Sequence, residues 1–95
     1  MAEDFSFTDQ ADASRFELRV GGELVSVLDY RANGDTVALT RAFTNPAKRG
    51  SGYAAVVTER AVDAIEAQGR KALPVCWYVA EWFDEHPERA GVRAA

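Results

Sequence analysis

Ninety-five residues, 47% of them apolar and 27% charged, allow one modest hydrophobic core in a folded rather than disordered chain. A formal charge of −4, with no basic run longer than Lys48-Arg49 or Arg70-Lys71, argues against nucleic acid as a partner. No apolar stretch approaches the ~20 residues that span a bilayer, and Met1-Ala2-Glu3-Asp4 is acidic where a signal peptide is basic. One cysteine and one histidine leave no disulfide and no zinc set, so a cytoplasmic, metal-free domain over residues 1–95 is expected.

Residues Met1 to Ser14 hold Glu3, Asp4, Asp9 and Asp12 with only Phe5 and Phe7 as anchors, which predicts fraying or a short edge strand. Phe16, Leu18 and Val20 then alternate with Glu17 and Arg19, the pattern of a strand with one buried face. Gly21-Gly22 reads as a hairpin turn into a second strand, Glu23 to Tyr30, that closes at Asn33-Gly34-Asp35. A third strand, Thr36 to Phe43, completes an antiparallel meander and stops at Asn45-Pro46, since proline cannot continue a ladder. Next, Ala54, Val57, Ala61, Val62 and Ile65 recur at helical spacing opposite Glu59, Arg60, Asp63 and Glu66. Gly69 is placed to end this helix at the C′ position. Ala72-Leu73-Pro74-Val75-Cys76 is apolar enough for a buried strand reached by crossover, although Pro74 points to an edge or a bulge. A last helix is expected from Tyr78 to Glu88, with Val79, Trp82 and Phe83 on one stripe, before a frayed end from Arg89 to Ala95.

Between the third strand and the main helix lies Pro46-Ala47-Lys48-Arg49-Gly50-Ser51-Gly52-Tyr53-Ala54-Ala55. A glycine turn at a helix start presents unpaired amide N–H groups, to which the helix dipole adds positive potential, and such a site binds phosphate. Glycine pairs also mark ordinary strand-to-helix connections. Two familiar phosphate loops do not fit: no lysine follows Gly52, and no third glycine or distal acidic residue completes a dinucleotide fingerprint.

Three passages together resemble the GCN5-related N-acetyltransferases. Arg49-Gly50-Ser51-Gly52-Tyr53-Ala54 matches the Arg/Gln-x-x-Gly-x-Gly/Ala turn of that superfamily. Leu73-Pro74-Val75-Cys76-Trp77-Tyr78-Val79 and Glu85-His86-Pro87-Glu88 resemble its minimal single-domain, "YidJ-type" branch. The likeness implies an α+β fold, with a mixed, mainly antiparallel sheet, a central coenzyme-binding helix and a C-terminal helix. It implies acetyl transfer from acetyl-CoA to a small-molecule or protein amine, by a monomer or weak dimer. Arg49, Gly50, Ser51, Gly52, Tyr53 and Ala54 would then hold the pyrophosphate, and a backbone N–H near Phe43 or Thr44 the thioester oxygen. In one respect the chain departs from that branch, whose strand before the turn usually reads His-Thr-Glu-Val where this one has Arg41-Ala42-Phe43-Thr44. Two possible proton acceptors are lost, which keeps open a coenzyme-binding module without turnover, or an interaction domain with no ligand.

For the chemistry, Cys76 is the one strong nucleophile type in the chain and reads either as an acyl relay or as a small buried apolar residue. His86 has the intrinsic pKa of a general base, but on a late helix turn beside Pro87 it is better placed to cap or pack. Tyr78 and Tyr30 are candidate acids for a departing thiolate. Trp77, Trp82 and Phe83 either line an acceptor cleft or form core, and Glu81, Asp84 and Glu85 form either an amine-attracting or a simply solvated face.

Overall fold

The computed structural model describes residues 4–94. Its elements in chain order are β1 (Phe5–Gln10), β2 (Arg15–Val20), β3 (Glu23–Asn33), β4 (Thr36–Thr44), α1 (Tyr53–Ala67), β5 (Lys71–Pro74) and α2 (Trp77–Glu85). The five strands form one sheet in the order of the sequence. β1 to β4 are antiparallel neighbours, and β5, returning from α1, lies parallel to β4. The sheet is therefore mixed but mainly antiparallel, in an α+β fold.

Alternation along β2 to β4 decides what each sheet face does. Phe16, Leu18, Leu28 and Leu39 are buried on the face that receives α1 and α2, where Val57, Ala61, Val62, Ile65, Val79, Trp82 and Phe83 meet them. α1 ends as its sequence requires. Gly69 takes φ 72°, its N–H donates to Glu66 O at 2.9 Å, and Arg70 N–H donates to Ile65 O at 3.1 Å, the two bonds of a Schellman cap.

Of the two expectations for the N-terminal segment, the short edge strand is the one found: β1 pairs along its whole length with β2 and sets Phe5 and Phe7 against the core, Phe5 meeting Tyr53 edge-on at 6.1 Å. Other segments differ from expectation. Val92 is buried behind a 3-10 turn over Pro87–Val92, and Ala94 N–H donates to Ala72 O at 2.7 Å, so the tail covers the outer edge of β5 instead of fraying. Residues 1–3 and 95, included in the fraying expected at both ends, lie outside the described residues. α2 runs from Trp77 to Glu85 rather than from Tyr78 to Glu88, because Pro87 drives His86 out of helical geometry to φ −128°, ψ 65°. β5 stops at Pro74 and only its Ala72 is buried, so Cys76 sits at the N-cap of α2 and not in the strand. As an edge strand β5 can hold Pro74, whose missing N–H costs it no ladder bond.

On the opposite face Glu17 is nearly buried, although it stands among polar neighbours. Burial alone would raise its pKa, but hydrogen bonds from Arg15 at 2.7 Å and Arg19 at 3.0 Å, and their charges, outweigh that and hold the carboxyl below its ordinary value. A depressed carboxyl pKa contributes stability that is present above the unfolded value near 4.3 and lost as pH falls through the folded one. Glu17→Gln is expected to lower stability by about 1–2 kcal/mol at pH 7 and to flatten the loss of melting temperature below about pH 4.5. Thermal unfolding from pH 2.5 to 7 checks this, and parallel curves for both proteins would remove Glu17 from the acid response.

Candidate active site

Pro46 turns the chain out of β4 into a 3-10 turn over Pro46–Lys48, where the Asn45 side chain accepts a hydrogen bond from Ala47 N–H at 3.0 Å. Entry into α1 then uses left-handed backbone at Gly50, φ 90°, and at Gly52, φ 79°, which glycine adopts without the clash a Cβ brings. Gly52 is the N-cap and offers no side chain to the first-turn amides. Among the described residues the N–H groups of Gly50, Ser51, Gly52, Ala54 and Ala55 donate to no backbone carbonyl. Nothing lies within 4 Å of where a Cβ on Gly50 or Gly52 would stand, so the space beside both is open. Lys48 pairs with Glu23 at 3.2 Å, whereas Arg49 has no carboxylate partner among the described residues.

From this turn a cavity of about 280 Å³ opens, walled by Ala42 and Thr44 of β4, by Lys48, Arg49 and Gly50, by Tyr53 and Ala54 of α1, and by Cys76, Trp77 and Tyr78. It exists because β4 and β5 part company. They pair only from Thr36↔Lys71 to Leu39↔Pro74. There Leu39 O accepts from both Val75 N–H, at 3.1 Å, and Cys76 N–H, at 2.9 Å, and the chain turns away into α2. β4 continues alone on that side to Thr44.

An irregularity in β4 decides which groups face the gap. Asp29 pairs with Arg41 but Tyr30 with Leu39, so Thr40 is an extra residue, a β-bulge that reverses the phase of everything after it. Asn45 N–H donates to Val25 O at 2.9 Å, so by alternation Phe43 and Arg41 also direct their backbone groups to β3. Ala42 and Thr44 direct theirs into the gap. The expectation of a donor near Phe43 or Thr44 is thus corrected to Ala42 or Thr44. The Thr44 hydroxyl is held 3.0 Å from Ser26 Oγ.

The remaining candidates separate cleanly. Tyr78 lines the cavity, and burial first, then the charges of Glu85 and Glu81, push its pKa upward, so the hydroxyl stays protonated at neutral pH. Cys76 is half-buried in the cavity wall. Trp77, 74% exposed, stands at the rim, while Trp82 and Phe83 belong to the core. His86 is not at the site: about 14 Å along α2 from Trp77, its ring stacks on Trp82 at 4.2 Å and its Nδ1 meets Trp82 O at 2.7 Å. Tyr30 is absent from it too, at the far end of the sheet, where it donates to Asp9 at 2.6 Å; burial and that carboxylate push its pKa up to about 12. Ala42 is the wall residue that sequence reasoning passed over. In sequence Phe43 keeps the two-residue period of the buried Val37 and Leu39, so nothing marked Ala42 as the residue that faces the gap.

A family model described as GCN5-related N-acetyl-transferase matches residues 15–92. The chain belongs to that family. Among solved structures, the ribosomal-protein-S18-alanine N-acetyltransferase from Escherichia coli is similar, with a TM-score of 0.57 and 17% sequence identity over 75% of this chain. At that identity the likeness is one of fold, and the match spans 41% of the length of that neighbour. No curated protein sequence matches.

His86→Ala in this family member is expected to cost about 1 kcal/mol through the lost stacking and hydrogen bond, and to leave the affinity for inorganic pyrophosphate unchanged. Thermal unfolding and calorimetric titration check the two halves. Weakened pyrophosphate binding would return His86 to the site.

Proposed function

We propose that the protein is an acetyl-CoA-dependent N-acetyltransferase acting on a primary amine. The observation that carries the reading is that the amides of Gly50, Ser51, Gly52, Ala54 and Ala55, at the mouth of the gap between β4 and β5, donate to no backbone carbonyl among the described residues. The fit to the coenzyme rests on the open space beside Gly50 and Gly52, on the exposed Arg49 and on the cavity leading away from them. Bound acetyl-CoA supplies the acetyl group activated as a thioester. The amides of Gly50, Ser51, Gly52 and Ala54 bind its diphosphate through the positive end of the helix, and Arg49 adds a charge at the rim. Tyr53 and Ala54 wall the first turn beside it. The backbone N–H of Ala42 or Thr44 polarises the carbonyl, a fixed donor that needs no reorganisation as negative charge develops. Tyr78 donates its proton to the departing sulfur. Cys76 closes the wall as a small half-buried side chain.

No carboxylate or imidazole occurs in the described cavity wall. The amine therefore gives up its proton to water, and a slow enzyme, or at the limit a coenzyme-binding module, is the second reading that this wall supports. kcat/KM is expected to rise with pH toward the acceptor's own pKa, near 10.4 for a lysine-like amine, with no plateau between pH 6 and 7. A plateau there in a pH-rate profile would indicate a base that this account lacks.

Two substitutions divide the roles. Tyr78→Phe is expected to lower kcat by about 10²-fold with CoA affinity retained, and Cys76→Ser to stay within about threefold of the parent. Free-thiol release with a panel of amines measures both. A loss with Cys76→Ser as large as with Tyr78→Phe would make the thiol a relay. Gly52→Val forces a branched side chain to φ 79° and fills the space beside it; about 1–2 kcal/mol of stability and at least tenfold in CoA affinity are expected to go. Unaltered affinity in a calorimetric titration would contradict the assignment of the turn.

A further inference from the structure

The sheet face turned away from α1 and α2 presents charge of the opposite sign to the chain as a whole. Cross-strand register puts Arg15, Asp29 and Arg41 in one row and Glu17, Val27 and Phe43 in the next, with Arg19 and Arg31 one pleat beyond on β2 and β3. Glu17 is sunk beneath two guanidiniums, and Asp29 is paired with a third. Glu17 is 5% exposed beneath Arg15 and Arg19, at 40% and 39%, and Asp29 is 33% exposed beside Arg41 at 63%. Arg31 is exposed and has no carboxylate partner among the described residues. Four arginines against two shielded carboxylates make this face positive on a chain whose net charge is −4, so the remaining surface is more acidic still.

At one end of the face an apolar cavity of about 260 Å³ lies between Leu24, Val27, Phe43 and Pro46. Phe43 is 41% exposed there, with the Arg41 guanidinium 5.3 Å from its ring centre. The row spacing places Arg15 and Arg41 about 10 Å apart, and Phe43 stands about 7 Å along β4 from Arg41.

We propose that this helix-free face docks an acidic segment of a partner protein, with an apolar side chain seated beside Phe43 and carboxylates on the arginines. The planar guanidinium fork matches a carboxylate in a two-point contact, and Arg15, Arg19 and Arg41 each keep nitrogens beyond those that hold Glu17 or Asp29. Only a polypeptide offers an apolar side chain and carboxylates at the two-residue interval that separates Phe43 from Arg41. A long polyanion or an anionic bilayer would also meet the acidic surface around the face, and would find no use for the cavity. The proposal is independent of acetyl transfer: no residue in it belongs to the coenzyme cavity.

The test is fluorescence anisotropy with a short labelled peptide carrying leucine and, at the second, fourth and sixth positions after it, glutamate. Binding is expected at low salt, weakened at least tenfold at about 0.5 M salt and at least tenfold by Arg31→Glu with Arg41→Glu. Phe43→Ser in the protein, or serine for leucine in the peptide, is expected to weaken it severalfold, which separates docking from diffuse attraction. Circular dichroism confirms that the variants are folded, and Phe43→Ser stands alone if the double variant is not. The proposal is overturned if the peptide fails to bind at about 1 mM, if the variants bind it undiminished, or if oligouridylate or phosphatidylserine vesicles bind more tightly than the peptide.

Discussion

The separation of β5 from β4 is the constraint on which the candidate site depends. Two strands that stayed paired to their ends would leave no cavity, and the amides at the start of α1 would face a closed sheet edge. The parting follows from where the last amides go. One carbonyl, Leu39 O, takes both Val75 N–H and Cys76 N–H as the chain swings into α2, and pairing with β4 ends at Leu39↔Pro74. β4 answers with the bulge at Thr40, which rotates Ala42 and Thr44 toward the space that β5 has left.

The helices then set the chemistry of that space. α1 brings the amides of Gly50, Ser51, Gly52, Ala54 and Ala55 to one end through two left-handed glycines, and α2 brings Cys76, Trp77 and Tyr78 to its side. Opposite demands meet within a few residues. The helix start and Arg49 favour an anion, while burial, and then the charges of Glu85 and Glu81, push the Tyr78 pKa upward. A site with positive potential at its entrance and a neutral acid within is suited to hold a phosphorylated carrier and protonate what leaves it.

Much of this was legible in the residues. The meander, its glycine turns, the Gly69 cap and the glycine turn into α1 follow from local rules, because each is fixed by backbone geometry within a few positions. The bulge at Thr40 was not, since nothing in Leu39-Thr40-Arg41 signals an extra residue; only the partner strand reveals it. Whether His86 and Tyr30 reach the site stayed open in the sequence for a related reason. Their chemistry is visible in the sequence, but their distance from the turn depends on where Pro87 ends α2 and on which end of a long hairpin Tyr30 occupies. Val92 shows the same limit at the C-terminal end, where a short segment is ordered by contacts that no local pattern encodes.

The central claim is that backbone amides at the start of α1 grip the anion of a coenzyme. Titrating CoA into the ¹⁵N-labelled protein tests it most directly, because each amide reports for itself. The account predicts the largest shifts at Gly50, Ser51, Gly52, Ala54 and Ala55, with a second group at Ala42 and Thr44. Shifts concentrated elsewhere, with those amides unmoved at saturation, would contradict it.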